Sequence, residues 1–309
     1  MQQQKFQLYK ERTFGEKVND TFSFLRDNWR PIAMWYVYLV LPFSLLGAVS
    51  FNSMFKALMT SRSGDSESAL TQALSSNYSS ILNSLLSVFS FALILTFVQF
   101  YLRRENRLEG LTFKELQNPV FANLGHLILL GFVITGLMIA YVLVMLLLGF
   151  VLSMAVHVAF VIFLAIVVTV ALGVPLSLSP IVYIMERENG IGPFEAVKKG
   201  FRLGWHTWGG LFALLFVLGV IVTVLSVLLE GPAIVAWVVE LFSAEKAGAH
   251  YESSVIGAFG RYLLTVIMVF GSQVLNTIFA VGLTIHYGHA CEKLDGVSAE
   301  EAIETFETL

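Results

Sequence analysis

Apolar residues run along this chain in blocks too long for a soluble core. The longest reaches from Leu116 to Met185, seventy residues without an Asp, Glu, Lys or Arg. As a single helix it would measure about 105 Å at 1.5 Å per residue. The hydrocarbon layer of a membrane is only about 30 Å thick, so the run has to cross it and return. The charge-free blocks predict six spans: Pro31–Phe51, Ile81–Leu102, Gly125–Gly149, His157–Met185, Trp208–Leu229 and Tyr262–Tyr287. A tight turn over Phe150–Val156 is expected to join the third and fourth. The blocks lack the apolar–polar alternation of a barrel strand, and a helix satisfies its own backbone away from water. The predicted fold class is all-α: a polytopic integral membrane bundle of six transmembrane helices, with amphipathic helices at the interface.

Polar segments before the hairpins carry a second pattern. Phe14-Gly-Glu16 is followed six residues after its Glu by Phe22, Phe113-Lys-Glu115 by Phe121, and Phe194-Glu195 by Phe201. Trp29 and Trp208 each lie thirteen residues beyond their Glu. In the first copy Phe14, Val18, Phe22, Leu25 and Trp29 recur at spacings of 4, 4, 3 and 4, which places them on one helical face. The reading is an interfacial helix plus a membrane hairpin used three times, over 1–111, 112–192 and 193–291, within one membrane domain. A cytoplasmic tail, 292–309, carries a fainter echo in Glu300 and Phe306. Asn118-Pro119 interrupts the second copy, so its helix is expected to begin or break there. Such helices rest in the headgroup layer. Phe14, Phe22, Trp29, Phe121, Phe201, Trp205 and Trp208 are its candidate docking residues, with Lys198, Lys199 and Arg202 facing anionic lipid.

Charge fixes the expected orientation. Fifteen of the nineteen Lys and Arg residues fall in the N-terminal arm, the second and fourth connections and the tail. The positive-inside rule then places both termini in the cytoplasm. Hydrophobic residues make up 56% of the chain and charged ones 13%, about half the charged share of a soluble domain. No soluble domain is expected. The net charge of -3 does not suggest a nucleic-acid partner. The lone Cys291 excludes an intrachain disulfide. A polar stretch of about thirty residues precedes the first span, which is expected to act as its own insertion signal.

Candidate chemistry is sparse. No Asp, Glu, Lys or Arg lies near the middle of a predicted span, and ion-coupled transport usually needs one. His126 and His157 read as interfacial. Span six offers Gln273, Asn276, Thr277 and Thr284 on one side, span five Gly219, Thr223 and Ser226, and span four Thr169, Gly173 and Ser177. These faces either pack helices closely or line a shallow polar cavity for a neutral group or lipid headgroup. Pro175 and Pro180 are expected to kink span four. His286, His289 and Cys291 lie together at the end of span six, but no fourth ligand accompanies them, and no metal or cofactor is expected. Glu230 reads as a solvated boundary residue ending span five with Gly231-Pro232, and Glu186-Arg187-Glu188 as a solvated exit turn. Asn77-Tyr78-Ser79 is a formal glycosylation sequon in an outer loop. Phosphate loops, zinc-protease helices and nucleophile elbows are absent from the sequence.

The stretch from Pro180 to Trp208, with Glu186-Arg-Glu-Asn-Gly and Phe194-Glu-Ala-Val-Lys-Lys-Gly-Phe, resembles a bacterial multi-pass family. The family is the membrane domain of glycerophosphodiester phosphodiesterases and its stand-alone relatives. The chain lacks the phosphodiesterase domain, so no catalytic residue carries over. The resemblance implies a bacterial inner-membrane protein tied to lipids. The expected function is a non-enzymatic scaffold, partner-docking or lipid-associated protein, with membrane lipids and a protein on the cytoplasmic face as partners. The alternative is a permease or lipid translocator using the seam of spans four to six.

Overall fold

The computed structural model describes residues 7–61, 66–153, 157–247 and 254–298. They form ten α-helices: α1 (Phe14–Asp27), α2 (Trp29–Leu39), α3 (Leu41–Ser61), α4 (Ser66–Arg103), α5 (Phe113–Ser153), α6 (Val158–Leu176), α7 (Ser179–Met185), α8 (Pro193–His206), α9 (Trp208–Ala247) and α10 (Val255–Asp295). By length and composition five helices can cross a membrane, or six if α2 and α3 count as one bent span. The protein is therefore an all-α, multi-pass membrane protein. The turn expected at 150–156 lies partly, and the tail echo wholly, outside the described residues.

Prolines act locally rather than as stops. α2 and α3 meet at a 54° bend, where Pro42 cannot donate to the carbonyl four residues back. Span four breaks in a similar way: α6 holds Pro175, Ser177 shares its N–H between the Gly173 and Val174 carbonyls, and Pro180 opens α7. By contrast α5 runs unbroken through Pro119, and α9 through Pro232. One lost hydrogen bond does not end a long apolar helix whose alternative is bare backbone in lipid. The expected break at Asn118-Pro119 and the expected end of span five at Gly231-Pro232 are both corrected. Glu230 lies inside α9. The presumed outer loop carrying Asn77 belongs largely to α3 and α4, and Ala233–Val239 belongs to α9.

The Glu of each recurring segment has one job. Glu16 accepts hydrogen bonds from the Thr13 N–H (2.6 Å) and hydroxyl (2.8 Å). Glu115 does the same for Thr112 (3.0 and 2.9 Å). Glu195 accepts the Gly192 N–H at 3.2 Å. In each case the carboxylate closes the start of a helix by satisfying a donor the first turn leaves free.

The chain divides into two compact units. The first holds 1–27, 95–217 and 280–309. Its packing relies on missing side chains: a Cβ on Gly200 would lie 2.7 Å from the Ser179 backbone, and one on Gly204 2.5 Å from Pro175 Cα. These two glycines of α8 let it press against the α6–α7 break. The α5–α6 hairpin is exposed along most of its length, with Tyr141 and Thr169 joined at 2.7 Å. The second unit holds 28–94 and 218–279. Gly47 sits against Val269 and Gly271 against Leu229, and Trp237 stacks on Phe51 with centroids 4.4 Å apart.

Candidate functional site

Within the second unit, four helices line an open cavity of about 390 Å³. α4 supplies Ser79, Ser80, Asn83 and Ser87, α10 Met268, Val269, Ser272, Gln273 and Asn276, α9 Glu230, and α3 Phe51 and Met54. The polar residues of α4 recur at helical spacing, as do those of α10, so each helix turns a stripe inward.

The stripes are tied down at their margins. Ser50 and Ser79 are buried, with hydroxyls 2.9 Å apart, and Ser79 also donates to the Ser50 carbonyl at 2.8 Å. Tyr36 donates to the Ser90 carbonyl at 3.0 Å, and the Ser90 hydroxyl lies 3.3 Å from the Gln273 carbonyl oxygen. Gln273 is only 3% exposed. Its amide nitrogen donates to Ser87 Oγ at 3.4 Å, while its Oε1 has no hydrogen-bond partner among the described residues. A buried acceptor left unmade costs about 1–3 kcal/mol, so this oxygen is poised for a donor. Glu230 makes no ion pair among the described residues, and it is the one charged residue between Trp208 and Val239 of α9. An ionisable group in such a helix is a functional-site candidate on physical grounds.

The predicted seam residues do not converge. Gln273 and Asn276 share their cavity with α4 and with Glu230 of span five, and none of the predicted seam residues of spans four and five lines it. Thr277 is buried and donates to its own helix at Val274 (2.7 Å). Thr223 is exposed and Ser226 half-buried on α9. Thr169 donates to Ala165 and pairs with Tyr141, and Ser177 donates to Val174. A hydroxyl in a long apolar helix finds its nearest acceptor one turn back, which consumes its polarity locally.

The interfacial residues also divide. Phe14, Trp29, Phe121 and Trp205 are exposed, and Phe22, Phe201 and Trp208 half-buried. On α1 the face turned into the protein is Lys17, Thr21 and Phe24, not the apolar stripe. Phe24 meets Tyr101 edge-on at 5.0 Å. Lys198 is exposed, but Lys199 pairs with Glu186 (2.8 Å) and Arg202 with Asp295 (2.8 Å), so those two cations serve the protein first.

Glu186 is the centre of a buried polar cluster in the first unit, a correction to its reading as a solvated turn. It accepts from Tyr287 at 2.7 Å as well as from Lys199. Nearby, the Arg12 guanidinium gathers the carbonyls of Gln7, Leu8 and Lys10 and the carboxylate of Asp20. The Arg12 backbone N–H donates to His289 Nδ1 at 3.0 Å. His286 contacts Thr207 Oγ1 at 3.0 Å and Lys17 Nζ at 3.4 Å. Burial, reinforced by the charges of Lys293 and Arg12, pushes the Lys17 ammonium down to about 8. Among the described residues no three His, Cys, Asp or Glu side chains group as metal ligands. The two histidines are engaged in holding residues 7–20 over the end of α10.

Sequence reasoning missed the α4 wall and Glu230. The signal was the run Ser79, Asn83, Ser87, Ser90 at spacings of 4, 4 and 3. Comparison with protein-family models, curated proteins and solved structures found no match, and no family is identified for the chain.

Proposed function

We propose that this protein is a non-enzymatic, lipid-associated integral membrane protein that holds a polar headgroup or small polar molecule in the cavity beside Gln273. The observation that carries this reading is the unpartnered Gln273 Oε1, buried among apolar helices and lining a cavity. The volume falls within the range of small-molecule sites. The bacterial inner membrane, the cytoplasmic termini and a threefold use of interfacial helix plus hairpin belong to the same reading. They are supported by the basic-residue distribution, the shared Glu caps and the likeness of the Pro180–Trp208 stretch. The exposed Phe14, Trp29, Phe121 and Trp205 support an interface with membrane lipids, and they leave room for a protein partner on that face. The charge balance argues against nucleic acid. A permease would also need a polar path, and that alternative now rests on the same cavity.

Native mass spectrometry of the protein extracted gently from its own membrane tests the reading. A stoichiometric lipid or small polar ligand is expected on the wild type and absent from Gln273→Leu. A bare wild type, or equal retention by the variant, counts against it.

A further inference from the structure

We infer that the ligand of this cavity is a protonated primary amine, bound through its N–H donors. The inference rests on the proposed reading and adds the chemical class. It follows from where each polar group of the wall has spent its hydrogens. The hydroxyl of Ser79 donates to the Ser50 carbonyl, that of Ser80 to Ser76 (2.9 Å) and that of Ser272 to Val269 (2.9 Å). The Asn83 amide donates to the Ser79 carbonyl at 3.0 Å, and the Gln273 amide to Ser87. Each hydroxyl hydrogen and one N–H of each amide are turned back to protein, and the oxygens keep free lone pairs.

Among the described residues, what remains is an acceptor-rich wall with the free Gln273 Oε1 and the unpaired carboxylate of Glu230 on the same cavity. The second N–H of each of the Asn83 and Gln273 amides, the Ser87 hydroxyl and the Asn276 amide are the remaining donors. An anion would meet the Glu230 carboxylate, and a neutral carbonyl ligand would leave Gln273 Oε1 without a donor. An ammonium offers three N–H groups and a neutralising charge. A quaternary ammonium carries the charge without donors, so it leaves Gln273 Oε1 as unsatisfied as before. The amine can come from a lipid headgroup or from free solute.

The test uses the full chain in phosphatidylcholine nanodiscs, whose headgroup has no N–H. Thermal unfolding is followed with ethanolamine, choline or glycerol added, and separately with phosphatidylethanolamine built into the disc. Ligand that binds the folded state raises the midpoint. Ethanolamine or phosphatidylethanolamine is expected to do so, with choline and glycerol at least about tenfold weaker, because charge-assisted donors are lost. A response to the lipid alone assigns the headgroup as the source, and a response to both shows that the free amine suffices. Glu230→Gln, which keeps the side chain's shape, is expected to lose at least about tenfold in amine affinity while its ligand-free midpoint stays close to wild type. Choline or glycerol acting as strongly as ethanolamine, or Glu230→Gln binding ethanolamine unchanged, overturns the amine assignment and leaves the cavity reading standing. No response to any of the four, together with no ligand on the natively extracted protein, removes both.

Discussion

Two buried polar residues set opposite tests at the residue scale. Gln273 holds an acceptor with no partner. Leucine in its place removes that penalty and also the weak 3.4 Å contact to Ser87. Gln273→Leu is therefore expected to be neutral or stabilising by about 1 kcal/mol in chemical denaturation. Stability held together with loss of bound ligand is the mark of a residue kept for binding; marked destabilisation would show it is kept for packing. Lys17 behaves differently. Its folded value of about 8 lies below the 10.5 of a free lysine. Between those two values the unfolded chain binds more protons than the folded one, so stability rises with pH across that window. Wild-type protein in detergent is expected to gain about 2–3 kcal/mol between pH 8 and 10.5, and Lys17→Met is expected to lose that slope. Parallel pH profiles for the two proteins would show that Lys17 does not carry it.

At the scale of elements, two close approaches are more demanding than any single side chain. α8 meets the α6–α7 break only because Gly200 and Gly204 lack a Cβ. Gly204→Ala is expected to cost about 1–3 kcal/mol through overpacking against Pro175, measured as a lower denaturation midpoint. Gly288 faces the Leu8 carbonyl so closely that any Cβ would displace it. Gly288→Ala is expected to lift residues 7–12 off α10, and trypsin should then cut after Lys10 or Arg12 several-fold faster. Unchanged cleavage would mean that Arg12 and His289 hold the segment without help from close packing. Much of this level was legible in the chain. The Glu at each recurring segment marked a helix start, and structure shows the carboxylate closing it. Proline was misread at Pro119 and Pro232, because one missing N–H is weaker than the demand of an apolar environment for continuous helix. Periodicity marks an apolar stripe, and it cannot say whether lipid or protein covers that stripe.

For the molecule as a whole, membrane class was legible from hydropathy alone, since no soluble core accommodates seventy uncharged residues. The cavity was not, because its walls come from helices far apart in sequence, and half of its α4 wall lay where a loop was expected. Orientation is the remaining whole-molecule property with a direct test. Fifteen of nineteen basic residues lie in the segments assigned to the cytoplasm, and basic segments resist translocation. Lys198 of α8 and Ser243 near the end of α9 are exposed residues of segments assigned to opposite sides. In a Cys291→Ala background, Ser243→Cys is expected to react with a membrane-impermeant maleimide on intact cells, and Lys198→Cys only after permeabilisation. The reverse pattern would invert the topology. Residues 79–87 and 268–276 approach the connections that the charge count assigns to the outer side. Inversion would therefore bring the amine to the cavity from the cytoplasmic leaflet rather than the outer one.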